Sequence, residues 1–193
     1  MKKLSPTWQL LLFYVLIAGV IGFAQYQRHN NALKIQHASA AAASAVESSQ
    51  KTTVAISGKP VRVLIPSAGI DLPIVDGTYD SVNELWSVSG TAANYATNTP
   101  LINNQKDRTI IYGHAIKSIF GNLQTVKTGD KAYIYTDNGH VFGYTYASTE
   151  IVKPENTEVF NKLSGQPGIY VMTCDGLWST ERRIVLFNLE NAK

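Results

Sequence analysis

The chain has a single cysteine in 193 residues, so no intramolecular disulfide can hold it together. Its stability must come from a packed core, which a chain of this length can build without covalent staples. Charge is also sparse. Only 16% of residues are Asp, Glu, Lys or Arg, the formal net charge is +3, and there is no arginine-rich arm or basic block. That excludes a surface built to neutralise several phosphates, and with it a nucleic-acid role. Acidic residues form no cluster of the kind that holds calcium, so no metal site and no cofactor is expected. No internal repeat is visible. What is plentiful is Tyr, Trp, Val, Ile and Thr in the later part of the chain, which favours strands over helices.

The one long apolar run is Trp8 to Ala24, WQLLLFYVLIAGVIGFA. At a rise of 1.5 Å per residue it spans roughly 25 Å, near the lower limit for a bilayer core of about 30 Å. It is expected to be a single-pass membrane anchor, with Lys2 and Lys3 favouring a cytoplasmic N-terminus over residues 1–7. Gly22-Phe23-Ala24 also fits a signal-peptide cleavage site, and on either reading the rest of the chain is exported. Residues 25–53 are rich in Gln, Asn, His, Ser and Ala, including Ala40 to Ala43. They have too little large apolar surface for a core but enough alanine for a helix, so they read as an extracytoplasmic spacer. His29 and His37 are solvated members of it.

From Val54 to Lys193 short apolar runs alternate with Gly, Pro, Asn and Asp at intervals of roughly ten residues, which marks an all-β domain. Strands are predicted over 61–65, 72–75, 109–112, 132–136, 140–152, 168–174 and 182–189. Asp137-Asn138-Gly139 is a hairpin turn. A short helix or turn is predicted at 117–126 and another at 157–163, whereas 76–107 has no assignable element.

Chemistry centres on the stretch Ile169 to Gly176, whose apolar run ends in the lone thiol Cys174. A free cysteine is most simply a small buried hydrophobe. The alternative is a nucleophile, which needs a histidine and an oxyanion stabiliser close in space. His114 follows Thr109-Ile110-Ile111-Tyr112-Gly113, so its imidazole emerges where a strand opens into a loop. The plainer reading is a strand-end histidine satisfied by a backbone carbonyl. His140, beside Gly139, is a turn residue. Arg182 lies eight residues after Cys174, a length that lets a loop join two antiparallel strands and bring a guanidinium beside the thiol. Such a cation favours the thiolate and can donate to the oxygen of a tetrahedral adduct. Against this, Arg182 and Arg183 can be two charges on an edge strand, one of which must point outward.

At these residues the chain resembles the sortase family: Thr173-Cys174 ends a strand, Gly113-His114 stands in TIIYGHA, and Arg182 opens ERRIVLF. Val61 to Ile74, Phe120-Gly121-Asn122-Leu123 and Gly129-Asp130 are also similar to family segments, so the resemblance covers about residues 60–189. Tyr170-Val171 stands where the family has Thr-Leu, which leaves the subclass open beyond a class A-like cast.

The resemblance implies a mainly β fold with short helices, a closed or nearly closed barrel of about eight strands. It implies a membrane-anchored cysteine transpeptidase acting on proteins that carry a C-terminal Leu-Pro-x-Thr-Gly-like sorting signal. In that scheme Cys174 is the nucleophile, His114 the acid and base, and Arg182, with Arg183 as the alternative, steadies substrate and oxyanion. Thr173 and Trp178 contact substrate, the loop 175–181 forms an ordered wall of the groove, and the acceptor is an amine of the cell wall or a pilin lysine. Two other functions fit the residues alone: an exported cysteine hydrolase, and a tethered β-domain that binds a wall polymer through Trp86, Tyr95 and Trp178.

Overall fold

The structure is a computed structural model that describes residues 6–49, 54–82, 85–156 and 158–190, with side chains described from residue 16 onward except at 48–49 and 159–160. It divides into two compact units, residues 1–38 and 39–193. Helix α1, Pro6–Ser49, supplies the first unit and the start of the second. The expected membrane span at 8–24 lies, up to residue 15, outside the described side chains; among the described residues no helix is long and apolar enough to cross a membrane. Residues 1–5 and 50–53 of the expected N-terminal segment and spacer are likewise outside the described residues.

Eight strands of the second unit form a closed barrel: β1 (Pro60–Ile65), β2 (Ile70–Gly77), β3 (Ala93–Ala96), β4 (Arg108–Gly113), β5 (Lys131–Thr136), β6 (Val141–Val152), β7 (Gly168–Asp175) and β8 (Glu181–Leu189). Their order round the barrel is β6-β8-β7-β4-β3-β2-β1-β5, and β5 closes on β6. Six of the pairings are antiparallel, whereas β2 with β3 and β4 with β7 are parallel. The expected barrel is thus present and closed, and seven of its strands are the seven legible in the sequence. The eighth, β3, lies in the stretch that carried no assignment, because Ala93-Asn94-Tyr95-Ala96 is too short and too poor in β-branched residues to announce itself.

Why these segments pair is clear from their alternation. Ile169 and Val171 of β7, Ile111 of β4 and Val185 and Phe187 of β8 point into one continuous core with Val63, Ile65, Ile134 and Phe120, all essentially without solvent contact. An eight-stranded barrel is just wide enough for such side chains to fill it. The opposite parity of β4, β7 and β8 is not polar. Ile110, Tyr112, Tyr170 and Ile184 form a second apolar cluster with Ala96, joined by Trp86, Met172 and Leu186. This outer cluster explains why those strands read as unbroken apolar runs.

The turns follow their residue chemistry. Gly139 sits at φ 84° in the hairpin, and Thr136 N and Oγ1 both donate to the His140 carbonyl, so His140 is the turn residue it was expected to be. The segment 117–126 is turns with a single 3-10 turn at Leu123–Thr125. Helix α2 covers Glu158–Asn161, inside the predicted 157–163, of which Thr157 lies outside the described residues. Tyr95 is a correction. It was a candidate aromatic for binding a polymer, but it is buried in the barrel core with its hydroxyl donating to the Thr99 carbonyl at 2.7 Å.

The compact unit begins at Ser39, ahead of the composition change at Val54. The reason is apolar burial: Ala42 and Val46, near the end of α1, are covered, and Val46 occupies the space that a side chain at Gly143 of β6 would need. Beside this contact Glu190, just past β8, ties β5 to β6. Glu190 accepts hydrogen bonds from Thr145 of β6 and pairs with Lys131 of β5 at 2.7 Å.

Burial pushes the Glu190 carboxyl up, but the hydrogen bonds from Lys131 and Thr145 and the lysine's charge outweigh it and hold the group below its ordinary value of 4.5. The hydrogen bond to Glu190 raises Lys131 above 10.5 against its own partial desolvation. A depressed carboxyl stabilises the fold above its unfolded value and loses that contribution as pH falls through the folded one. A raised lysine does so below its unfolded value and loses it at high pH. The pair therefore contributes across the range between these limits. Because Lys131 is half exposed, Glu190→Gln should cost no more than about 1 kcal/mol at pH 7, and the difference from the parent should be smaller at pH 3 than at pH 7. Urea unfolding at the two pH values measures it.

Candidate active site

Parallel pairing of β4 with β7 runs from Arg108 opposite Gly168 to Gly113 opposite Thr173. Both strands therefore end at the same rim, roughly 4.8 Å apart. The residue after Gly113 is His114, and the residue after Thr173 is Cys174. Antiparallel pairing of β7 with β8 places Arg182 directly opposite Cys174, so these two side chains share a face. The register alone thus gathers the three residues singled out by sequence at one end of the barrel.

A buried hydrogen bond fixes that rim. Thr173 is 4% exposed, and its hydroxyl donates to the Gly113 carbonyl at 2.8 Å, tying the strand that carries the cysteine to the strand that carries the histidine. Its side chain is a strand tie first. His114 is exposed to solvent, and its carbonyl accepts the Phe120 N–H at 3.0 Å, so the loop after β4 folds back over the strand end. Two glycines make that fold possible. A Cβ on Gly113 would meet Ile119 at 2.9 Å, and one on Gly121 would meet the backbone of Ile116 and Lys117 at 2.8–2.9 Å. Ile119 and Phe120 enter the core through the gap.

Alternation along β7 divides the site into two sides. Cys174 and Arg182 continue the outward parity of Tyr170, Met172 and Ile184, next to the apolar cluster on the outer face. Burial pushes the Tyr112 phenol of that cluster up, keeping it neutral, and it donates to the Ser87 carbonyl at 2.7 Å. Thr173, Asp175 and Arg183 have the inward parity and open into a cavity of about 330 Å³ at the barrel end. Ala115, Phe120, Gly121 and Gln124 form one wall of it, and Thr173–Gly176, Trp178, Ser179 and Arg183 the other. Cys174 is half-buried where the two sides meet, not sealed in the core as an inert cysteine would be.

Both arginines are placed by the loop between β7 and β8. Arg182 Nη1 donates to the carbonyls of Ser179 and Glu181, each at 3.0 Å. Arg183 Nη2 lies 2.6 Å from Asp175 Oδ2, while Asp175 Oδ1 accepts the Gly176 N–H at 2.7 Å. The loop itself is a 3-10 turn at Leu177–Ser179 in which Gly176, Trp178 and Ser179 have φ of 73°, 60° and 61°. For the two residues that are not glycine this costs on the order of 1 kcal/mol each or more. Trp178 is nonetheless 89% exposed.

Residues 63–190 match the family model described as Sortase domain. The chain belongs to the sortase family. It is 30% identical over 134 residues to sortase A of Streptococcus agalactiae serotype III (strain NEM316), a match covering 66% of this chain and 51% of the relative. The chain therefore spans about half the length of that curated relative. Among solved structures it is similar to sortase C-1 of Actinomyces oris, at 26% identity and a TM-score of 0.54 over 68% of this chain and 75% of that one. It is similar also to sortase A of Listeria monocytogenes, at 25% identity and a TM-score of 0.56 over 68% and 87%. Relatives named A and C thus both resemble this sortase.

What residue-level reading of the sequence missed is the supporting cast: Asp175 as the partner of Arg183, and the steric demand at Gly113 and Gly121. The glycines left a signal, since an apolar strand ending Gly-His and followed by Ile-Phe-Gly needs close backbone approach to turn back. Asp175 left none, because its partner is set by strand register. Gly121→Ala should destabilise this sortase by about 1–3 kcal/mol, since the added methyl meets backbone that cannot swing away. Gly90→Ala, with open space around the added atom, should stay within about 0.5 kcal/mol. Chemical unfolding of the two variants checks the contrast.

Proposed function

We propose that this sortase is a cysteine transpeptidase that cleaves a Leu-Pro-x-Thr-Gly-like sorting signal and passes the acyl group to an amine of the cell wall or of a pilin. The observation that carries it is the register that brings Cys174, His114 and Arg182 to one rim, with an apolar face on one side of the thiol and a polar cavity on the other. Cys174 Sγ attacks the threonine carbonyl, a tetrahedral adduct forms, and the C–N bond breaks to leave a thioester. His114 gives a proton to the departing amine and later takes one from the incoming amine. Arg182, opposite the thiol, donates to the adduct oxygen with the planar fork that suits it. Thr173 holds the two strands in place, and Trp178 walls the groove.

The helix segment 8–24 anchors the chain in the cell membrane, and the barrel works on the extracytoplasmic side at the end of α1. Protease added to intact cells should remove the barrel while the anchor stays with the membrane fraction; a chain wholly protected, or wholly in the cytosol, would contradict this placement.

Incubation of the purified barrel with candidate sorting peptides should yield an acyl adduct on Cys174 by mass spectrometry, and added amine should convert it to an amide product. A hydrolase would give the free acid whether or not amine is present. Cys174→Ala should abolish the adduct and shift stability by no more than about 1 kcal/mol. His114→Ala should lose nearly all turnover, with His140 confined to its distant hairpin. Arg182→Lys keeps the charge but loses the fork, so a large loss there points to directed hydrogen bonds and a small one to local potential alone. An unfolded Cys174→Ala protein would return the thiol to a purely structural role.

A further inference from the structure

The ion pair between Arg183 and Asp175 has no part in the chemistry above, yet it stands one residue from the nucleophile and lines the cavity beside it. We propose that Arg183 is a positioning residue: through Asp175 it holds the loop 175–181 in its strained form, which keeps the cavity beside Cys174 open for the amine that resolves the thioester. This rests on the transpeptidase reading for its catalytic consequence, though not for its structural one.

The loop needs holding. Three of its residues, Gly176, Trp178 and Ser179, sit at positive φ, and only the first is a glycine. Trp178 is almost fully exposed on the cavity wall, where an unrestrained indole would gain by lying down and burying its ring. Two ties oppose that collapse. Arg182 grips the far end of the loop through the Ser179 carbonyl. Arg183 grips the near end through Asp175, whose other oxygen holds the Gly176 N–H. The register makes the second tie diagonal, since Asp175 is opposite Glu181 and Arg183 opposite Thr173, so it resists shear between β7 and β8 as well as lifting of the loop. Both side chains are about three-quarters covered, at 21% and 27% exposure, which shields the pair from the screening that weakens surface pairs.

The catalytic consequence falls on the second half-reaction. There the amine nitrogen attacks the thioester carbonyl, the C–N bond forms, the C–S bond breaks, the thiolate returns to Cys174 and the amine's proton passes to His114. An amine carried on a larger acceptor must be seated between the loop 175–181 and the wall formed by Ala115, Gly121 and Gln124. Water needs no such seat. Loosening the loop therefore penalises aminolysis more than hydrolysis.

The test uses the full chain with Arg183→Met, Arg183→Lys and Asp175→Asn, a Leu-Pro-x-Thr-Gly peptide as donor and triglycine as the probe amine. Hydrogen exchange of the amides at 176–180 is read first, because it needs no turnover. Arg183→Met and Asp175→Asn should each speed that exchange tenfold or more, and Arg183→Lys, which can still reach Asp175, should recover most of the protection. The ratio of amide product to hydrolysed product should fall at least fivefold in Arg183→Met and Asp175→Asn and return toward the parent value in Arg183→Lys. Unchanged exchange in Arg183→Met overturns the proposal outright, whether or not the chain turns over. Faster exchange with a product ratio within twofold of the parent overturns its catalytic part. If the parent chain forms no acyl adduct on Cys174, the transpeptidase reading fails while exchange still judges the tie.

Discussion

Two strands that run parallel deliver their C-terminal ends to the same edge of a sheet, and the pairing of β4 with β7 does this with a histidine just past the end of β4 and a cysteine next to last in β7. Antiparallel neighbours deliver their C-terminal ends to opposite edges. A parallel pair far apart in sequence needs a long return path, and here the chain supplies it by running through β5 and β6 before coming back as β7. Barrel closure then locks the register, because a slip at β4–β7 would have to propagate through every other strand and turn the core residues Ile111, Ile169 and Val171 outward. The Thr173–Gly113 hydrogen bond is the last link of that pairing, next to Cys174 and His114.

From that rim the period-two alternation of strands does the rest. It sends Cys174 and Arg182 to the outer, apolar side and Asp175 and Arg183 to the cavity side, so adjacent residues in sequence face different surroundings. Two neighbouring arginines therefore have different surroundings, one opposite the thiol and one paired to the carboxylate that follows it. The loop that separates the two sides has two non-glycine residues at positive φ, and the ion pair and carbonyl contacts lie at its ends.

The seven long strands were legible because each is a run of β-branched and aromatic residues bounded by turn formers, and the Asp-Asn-Gly hairpin because only certain residues accept its backbone angles. The eighth strand was hidden, since four residues of Ala, Asn and Tyr are recruited by their neighbours and not by their own preference. The start of the compact unit at Ser39 was hidden for a related reason. Ala42 and Val46 sit in an alanine-rich helix that looks like a solvated spacer until the surface at Gly143 is seen to take them. Tyr95 looked as available as Trp178, and only the closed barrel tells the buried ring from the exposed one.

The sequence by itself determined the residue types that can do the chemistry: one thiol, one histidine at a strand end, an arginine at a loop length that allows return. Those are local facts, set by composition and by spacing along the chain. It also determined the all-β class, since alternation and turn chemistry act within a few residues. Tertiary structure alone decided which arginine lies opposite the thiol, that Asp175 pairs with Arg183, and that a cavity opens on one side of Cys174. Those depend on strand register and barrel closure, where residues sixty positions apart meet, and no local pattern carries that information.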